Sequence, residues 1–283
     1  MMATIPALAA LSSLVAAPAS QAPGCLPPGA WADRSGQPMS REAFLDRAMA
    51  AGVVLLGEQH ATPSHHRWQA DVVAGLLERG RAVVLGLEQL PRSAQPALDR
   101  WVAGALSAEA FRAESGWDRH WGHDFAAYLP LLELARERRV PLVALNIDRA
   151  FVRAVGREGY AKAAAGGAPV GRPAPPPPAY VASLERVFAT HAKEPDPAAL
   201  ARFVEAQTVW DRAFAEGLLA ARRAHPEAVA VGVMGLGHVE HGWGAEHQLR
   251  ALGETAIVSA IPVPAAPPCP VASDAADALF GAG

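Results

Sequence analysis

Residues 53–66 read VVLLGEQHATPSHH. The first five, VVLLG (53–57), are an unbroken apolar run of β-branched and leucine residues. That is the pattern of a strand covered on both faces of a parallel sheet. Thr62-Pro63 then offers a helix N-cap followed by proline at the first helical position. The helix should run to about Arg79 and stop at Gly80. Between strand and helix lies Gly57-Glu58-Gln59-His60, a chemically capable turn at the carboxyl end of the strand.

The same unit recurs along the chain. RAVVLGLE (81–88) is a second strand ending in Glu88-Gln89, and VPLVALN (140–146) a third ending in Asn146, with Asp148 and Arg149 just beyond. AVAVGVMG (228–235) is a fourth, running into Gly235-Leu236-Gly237-His238, and TAIVSAIPV (255–263) is read as the last. Helical patterns fill the intervals, including 41–51 behind Ser40, 148–159, 180–192 and 197–224. In HDFAAYLPLLELARERR, Pro130 should kink a helix or mark its start. Strands alternating with helices predict an α/β fold with a mostly parallel sheet flanked by helices. The insertions at about 92–122 and 160–224 should gather into a smaller helical lobe. AAGGAPVGRPAPPPPA (164–179) reads as a flexible polyproline-rich loop, and the Pro/Ala-rich tail 264–283 as loose.

The chain has 283 residues, 51% hydrophobic and 19% charged, with a net charge of -3. That excludes a disordered chain, and there is no basic stripe for nucleic acid. Residues 1–24 carry an apolar stretch ending in small residues, as in a secretory signal, although a basic start is missing. The stretch is shorter than the ~20 residues of a membrane span. The two cysteines, Cys25 and Cys269, are too few for a disulfide framework or a cysteine zinc site. Cys25 is either a lipid-acceptor cysteine attaching the protein to a membrane or the partner of Cys269 in a disulfide, and both require export. The α/β domain then spans 25–263.

In an open parallel sheet, ligands sit outside the carboxyl ends of the strands. If the strands are neighbours, Glu58, His60, Glu88, Asn146, Arg149 and His238 converge on one crevice. His60 and His238 share a Gly-x-x-His pattern, in which glycine permits close backbone approach and imidazole can ligate or move protons. The alternative is a pair of hydrogen-bonded turn histidines. His65 and His66 start the next helix and face differently, so at most one should look into the crevice; His241 and His247 are similar cases. Glu58 and Glu88 could ligate, orient histidine, act as a base, or form an ion pair with Arg149. Gln207 and Asp211 share a helix face that could close over the crevice or form only a polar rim. Trp117, Trp121 and Trp243 add flat apolar surface. Tyrosine can ligate haem iron, which makes Tyr160 and Tyr180 candidates beside a packing role. No Gly-x-Ser-x-Gly, phosphate loop or His-Glu-x-x-His is present.

Five segments, LLGEQHATPSHH, VVLGLEQL, PLVALNIDR, FVEAQTVWDRAFAE and VMGLGHVEHGWG, resemble the ChaN family of haem-binding proteins. That family is similar to the wider Tiki, TraB and erythromycin-esterase group. Asn146-Ile147-Asp148-Arg149 stands where the family more often has Asn-Ala-Pro-Arg. The resemblance implies an exported, often lipid-anchored protein of the periplasm or cell envelope, active in haem or iron uptake. It also implies haem held between two protomers of a homodimer with tyrosine ligation, and Arg149 is the candidate partner of the haem propionates. The sequence therefore supports two readings. One is a haem-binding protein using Glu58, His60, His65, Glu88, Asn146, Arg149, Gln207, Asp211 and His238. The other is a metal-dependent hydrolase in which His60, Glu88 and His238 hold a divalent ion and activate water. Whether the protein is an enzyme stays open at this point.

Overall fold

The computed structural model describes residues 25–191, 196–265 and 274–283. The signal-like segment and Cys269 lie outside them. Eight strands are seen among the described residues: β1 (Trp31–Asp33), β2 (Pro38–Met39), β3 (Val53–Glu58), β4 (Val83–Pro91), β5 (Leu142–Asn146), β6 (Val229–Gly235), β7 (Ile257–Pro264) and β8 (Ala278–Ala282). They form one sheet in the order β2-β1-β8-β7-β3-β6-β4-β5. From β8 to β5 every pairing is parallel, and β1 is antiparallel to both β8 and β2.

β3 and β6 have no exposed residue, as a strand covered on both faces requires. On one face, helices Pro63–Glu78, Gln95–Val102 and Phe125–Glu137 bury Leu56, Leu76, Trp101 and Leu131 in a common core. Phe125–Glu137 continues through Pro130 instead of starting there. On the other face, Arg149–Glu158, Pro197–Ala224 and Ala245–Ala251 bury Leu55, Val155, Phe214 and Leu249. The two insertions behave differently. Trp101, Phe111 and Trp117 of the first belong to the main core, whereas helix Pro178–His191 of the second forms a small satellite cluster of Tyr180, Leu184 and Val204.

Two expectations are corrected. The tail is not loose throughout: Ala278–Ala282 is a strand, and Gly29 and Gly281 exchange hydrogen bonds with the chain opposite, bringing the end beside the beginning. Short β1, β2 and β8 lack the long apolar run by which the inner strands declare themselves. The proline-rich stretch is irregular but pinned. Gln248 donates to Ala174 O at 3.0 Å and accepts from Ala174 N at 2.8 Å, and His247 Nε2 donates to Pro175 O at 2.8 Å. Cys25 is in a disulfide.

The edge of β5 is closed in a similar way. Gln95 Nε2 donates to Leu142 O at 2.7 Å, and Gln95 Oε1 accepts from Ala144 N at 2.9 Å. A side-chain amide thus takes the hydrogen-bonding place of a further strand, which protects an otherwise open sheet edge.

Candidate functional site

β6 lies between β3 and β4, with Glu58 in register with Gly235. The strand ends therefore bring both Gly-x-x-His turns and Glu88 together. Glu58 ends β3 with its side chain fully buried. Its Oε1 accepts from Tyr128 Oη at 2.5 Å, His60 Nδ1 at 2.9 Å and Gln89 Nε2 at 3.4 Å. Burial pushes this carboxyl up, but the bonds from His60 and Tyr128, with the His66 imidazole 3.7 Å away, outweigh it and hold it far below the usual carboxylate range. For His60, burial is the largest influence and would lower the pKa; the bond to Glu58 and the charges of Glu88 and Glu58 together outweigh it and raise the group above its ordinary value.

A second array repeats the first. His238 Nδ1 donates to Asp211 Oδ1 at 2.7 Å, and Tyr180 Oη donates to Asp211 Oδ2 at 3.0 Å. His238 Nε2 faces Glu88 Oε1 at 3.8 Å, while Glu88 Oε2 accepts from Gly235 N at 2.6 Å. Burial opposes the histidine charge, but Asp211 and then Glu88 outweigh it, and the pKa is raised to about 9. Each histidine thus has its Nδ1 committed to a carboxylate that a buried tyrosine also holds. Gly235 is needed for contact, not for turning: its φ is -59°, and a Cβ there would lie 2.8 Å from His60 Cε1.

Glu58, His60, Gln207 and His238 line one cavity of about 220 Å³, with Tyr180, Leu184 and Phe203 on its helical side. Asp211 lies behind His238, so the helix face carrying Gln207 and Asp211 does close over the crevice. The other expected residues stand elsewhere. Asn146 Nδ2 donates to Glu88 O at 2.9 Å beside the register shift of β4 against β5, so it shapes the strand end. His65 Nδ1 accepts from Gln59 N at 3.0 Å; burial, with His66 nearby, lowers its pKa to about 4, and the neutral ring holds the turn. Arg149 is exposed at the start of its helix and near His120, and the buried glutamates pair with histidines instead of with it.

Trp117 is a core residue whose Nε1 donates to His123 O at 2.9 Å, not ligand surface. Tyr160 Oη donates to Val170 O at 3.1 Å, away from the crevice. His241 stacks on Trp243 at 4.2 Å. His66 is as buried as His65: it stacks on Tyr128 at 3.8 Å and donates from Nδ1 to Ala127 O at 3.2 Å. The triad His60, Glu88 and His238 does not form a metal centre: no group of three or more His, Cys, Asp or Glu able to hold an ion is found among the described residues. The carboxylates hold the imidazoles in hydrogen bonds instead.

Sequence reasoning missed Tyr128 and His123, whereas Trp121, expected as flat surface, does stand beside His60. Trp121 meets the His60 ring edge-on at 4.5 Å, and His123 lies 5.3 Å from it. Tyr128 sits at i+3 from Phe125 on an apolar helix face, where only its hydroxyl hinted at a polar partner.

No curated protein matches the chain in sequence. Among solved structures, it is similar to the ChaN protein of Campylobacter jejuni, whose structure reports cofacial haem binding, with TM-score 0.68 and 15% identity over 89% of this chain and 95% of that one. An erythromycin esterase variant in its open conformation gives TM-score 0.50 and 12% identity over 79% and 72%. A succinoglycan biosynthesis protein gives 0.50 and 11% over 79% and 68%. At such identities these likenesses show the fold. The family model described as haem-binding uptake, Tiki superfamily, ChaN matches residues 44–249, most of the sequence, and the chain belongs to that family.

Proposed function

We propose that this protein binds haem at the mouth of the strand-end crevice and takes part in haem or iron handling at the cell envelope. The observation that carries the reading is the family match over 44–249, whose segments are the ones that build the crevice. The residues present suit the group. Trp121 and the ring of His123 offer flat surface beside His60. Arg119 and Arg149 both act on His120, three residues before His123, so two guanidiniums are near the segment that carries Trp121 and His123 and could pair with the carboxylate arms. Bound haem would supply an iron with open axial positions and two carboxylates. The buried carboxylates keep the His60 and His238 rings fixed beneath that surface.

Export is part of the proposal. A disulfide at Cys25 suits an oxidising compartment and agrees with the signal-like segment before it. A cysteine in a disulfide cannot also carry a thioether lipid, so the bridge is favoured over the anchor. The cofacial arrangement in the Campylobacter jejuni relative suggests a homodimer that brings two haems together. The metal-hydrolase reading is set aside with its ligand set.

The test is an absorbance titration of the purified protein with haemin, followed by sedimentation of the complex. A saturable Soret shift is expected, with haem-dependent dimerisation. Absence of any Soret shift would overturn the proposal.

A further inference from the structure

Resting on the haem reading, we infer that the iron ligand in this chain is the imidazole of His123, not a tyrosine and not a histidine of the Gly-x-x-His turns.

The sequence holds three tyrosines. Each hydroxyl is already donated inward: Tyr128 to Glu58, Tyr160 to Val170 O and Tyr180 to Asp211. Ligation by tyrosine needs the phenolate. For Tyr128 and Tyr180 that anion would sit against a buried carboxylate, and the phenol Oη would have to give up its only strong acceptor.

The turn histidines are held in the wrong place for a flat macrocycle. His60 has Nδ1 on Glu58, and a Cβ on Gly235 would lie 3.0 Å from its Nε2, so that nitrogen looks at the backbone of β6. His238 has Nδ1 on Asp211 and Nε2 towards Glu88. The cavity they share, about 220 Å³, is smaller than the ~300–1,000 Å³ of pockets that enclose drug-sized ligands. A porphyrin must therefore lie across the mouth, where the inner nitrogens do not reach.

His123 stands at that mouth, half-buried, 5.3 Å from His60 and 5.2 Å from Trp121 between ring centres. Neither of its ring nitrogens has a hydrogen-bond partner among the described residues. Its backbone is fixed on both sides. Trp117 Nε1 donates to its carbonyl, and Asp124, the next residue, caps helix Phe125–Glu137 by accepting from Ala126 N at 3.0 Å. A rigid backbone carrying an uncommitted imidazole beside an indole is what a preformed axial ligand requires. The neighbouring imidazole of His120 is engaged by Arg119 at 3.1 Å.

The experiment loads haemin onto the wild-type protein and the His123→Ala and His123→Met variants, and reads absorbance and low-temperature electron paramagnetic resonance. Expected are an imidazole-ligated ferric signature in wild type, its loss with at least a tenfold weaker Kd in His123→Ala, and its return when free imidazole is added. His123→Met should give a thioether signature and controls for folding. An imidazole signature that persists in His123→Ala, a phenolate signature in wild type, or a loss that imidazole does not restore would each overturn the assignment while leaving haem binding intact. No saturable binding by wild type would instead overturn the haem reading beneath it.

Discussion

Replacing Asp211 by Asn tests the electrostatics of the crevice without altering its shape. His238 donates to Asp211 at 2.7 Å, and its pKa stands at about 9 against an ordinary 6.5. At ~1.4 kcal/mol per pH unit, the displacement corresponds to about 3 kcal/mol. A histidine with a raised folded-state pKa contributes stability that is complete below 6.5 and lost as pH rises through about 9. At pH 6 the Asn variant should be the weaker by roughly 3–5 kcal/mol, the cost of breaking a buried pair from one side. By pH 10 the gap should have closed by about 3 kcal/mol, because the wild-type protein has lost the charge that Asp211 held. Urea unfolding at intervals from pH 6 to 10 measures the gap, and proton NMR of the His238 ring gives its midpoint. His60, Glu88 and Tyr180 are present in both proteins, so their contributions largely cancel in the difference. Parallel stability curves, or a His238 midpoint at or below 6.5, would refute the reasoning.

Tyr128→Phe removes a donor from the buried Glu58 carboxylate and should cost about 1.5–3 kcal/mol in urea unfolding. The depressed Glu58 pKa contributes stability above its ordinary 4.5 that is lost on acidification, so the same variant should unfold at a higher pH in an acid titration. Gly235→Ala places a methyl 2.8 Å from His60 Cε1 and should cost roughly 1–3 kcal/mol, with a displaced His60 ring resonance by NMR. Gln95→Ala strips both amide bonds from the edge of β5; a loss of about 1–2 kcal/mol and concentration-dependent self-association by sedimentation are expected.

The inner sheet was legible because burial on both faces writes itself as VVLLG, AVVLGL and VAVGVMG, and the strand-end rule then located Glu58, His60, Glu88 and His238. Three things stayed hidden for different physical reasons. β1 and β8 are short and are held by pairing with each other, a long-range contact that leaves no local pattern. The proline strap and the β5 edge are ordered by single glutamines, Gln248 and Gln95, whose amides imitate backbone; in sequence a glutamine looks like a solvated residue. By charge alone, Arg149 is the natural counter-ion for two buried glutamates. The structure prefers histidine because His60 arrives two residues after Glu58 on the same turn, and His238 arrives on the neighbouring strand end, facing Glu88.

The tyrosines link the fold to the chemistry. Each carboxylate–histidine pair in the crevice uses one tyrosine hydroxyl from a packed helix, Tyr128 from Phe125–Glu137 and Tyr180 from Pro178–His191. A second donor on the carboxylate fixes its rotamer, and the fixed carboxylate in turn holds the imidazole in place. Two of the chain's three tyrosines are thereby spent on holding side chains, and the third closes the loop at Val170. A protein built this way keeps a charged, preorganised floor beneath the crevice but has no phenol left to offer a metal. The ligand function must then pass to a group the floor does not claim, and at the mouth the histidine that caps no turn and meets no carboxylate is His123.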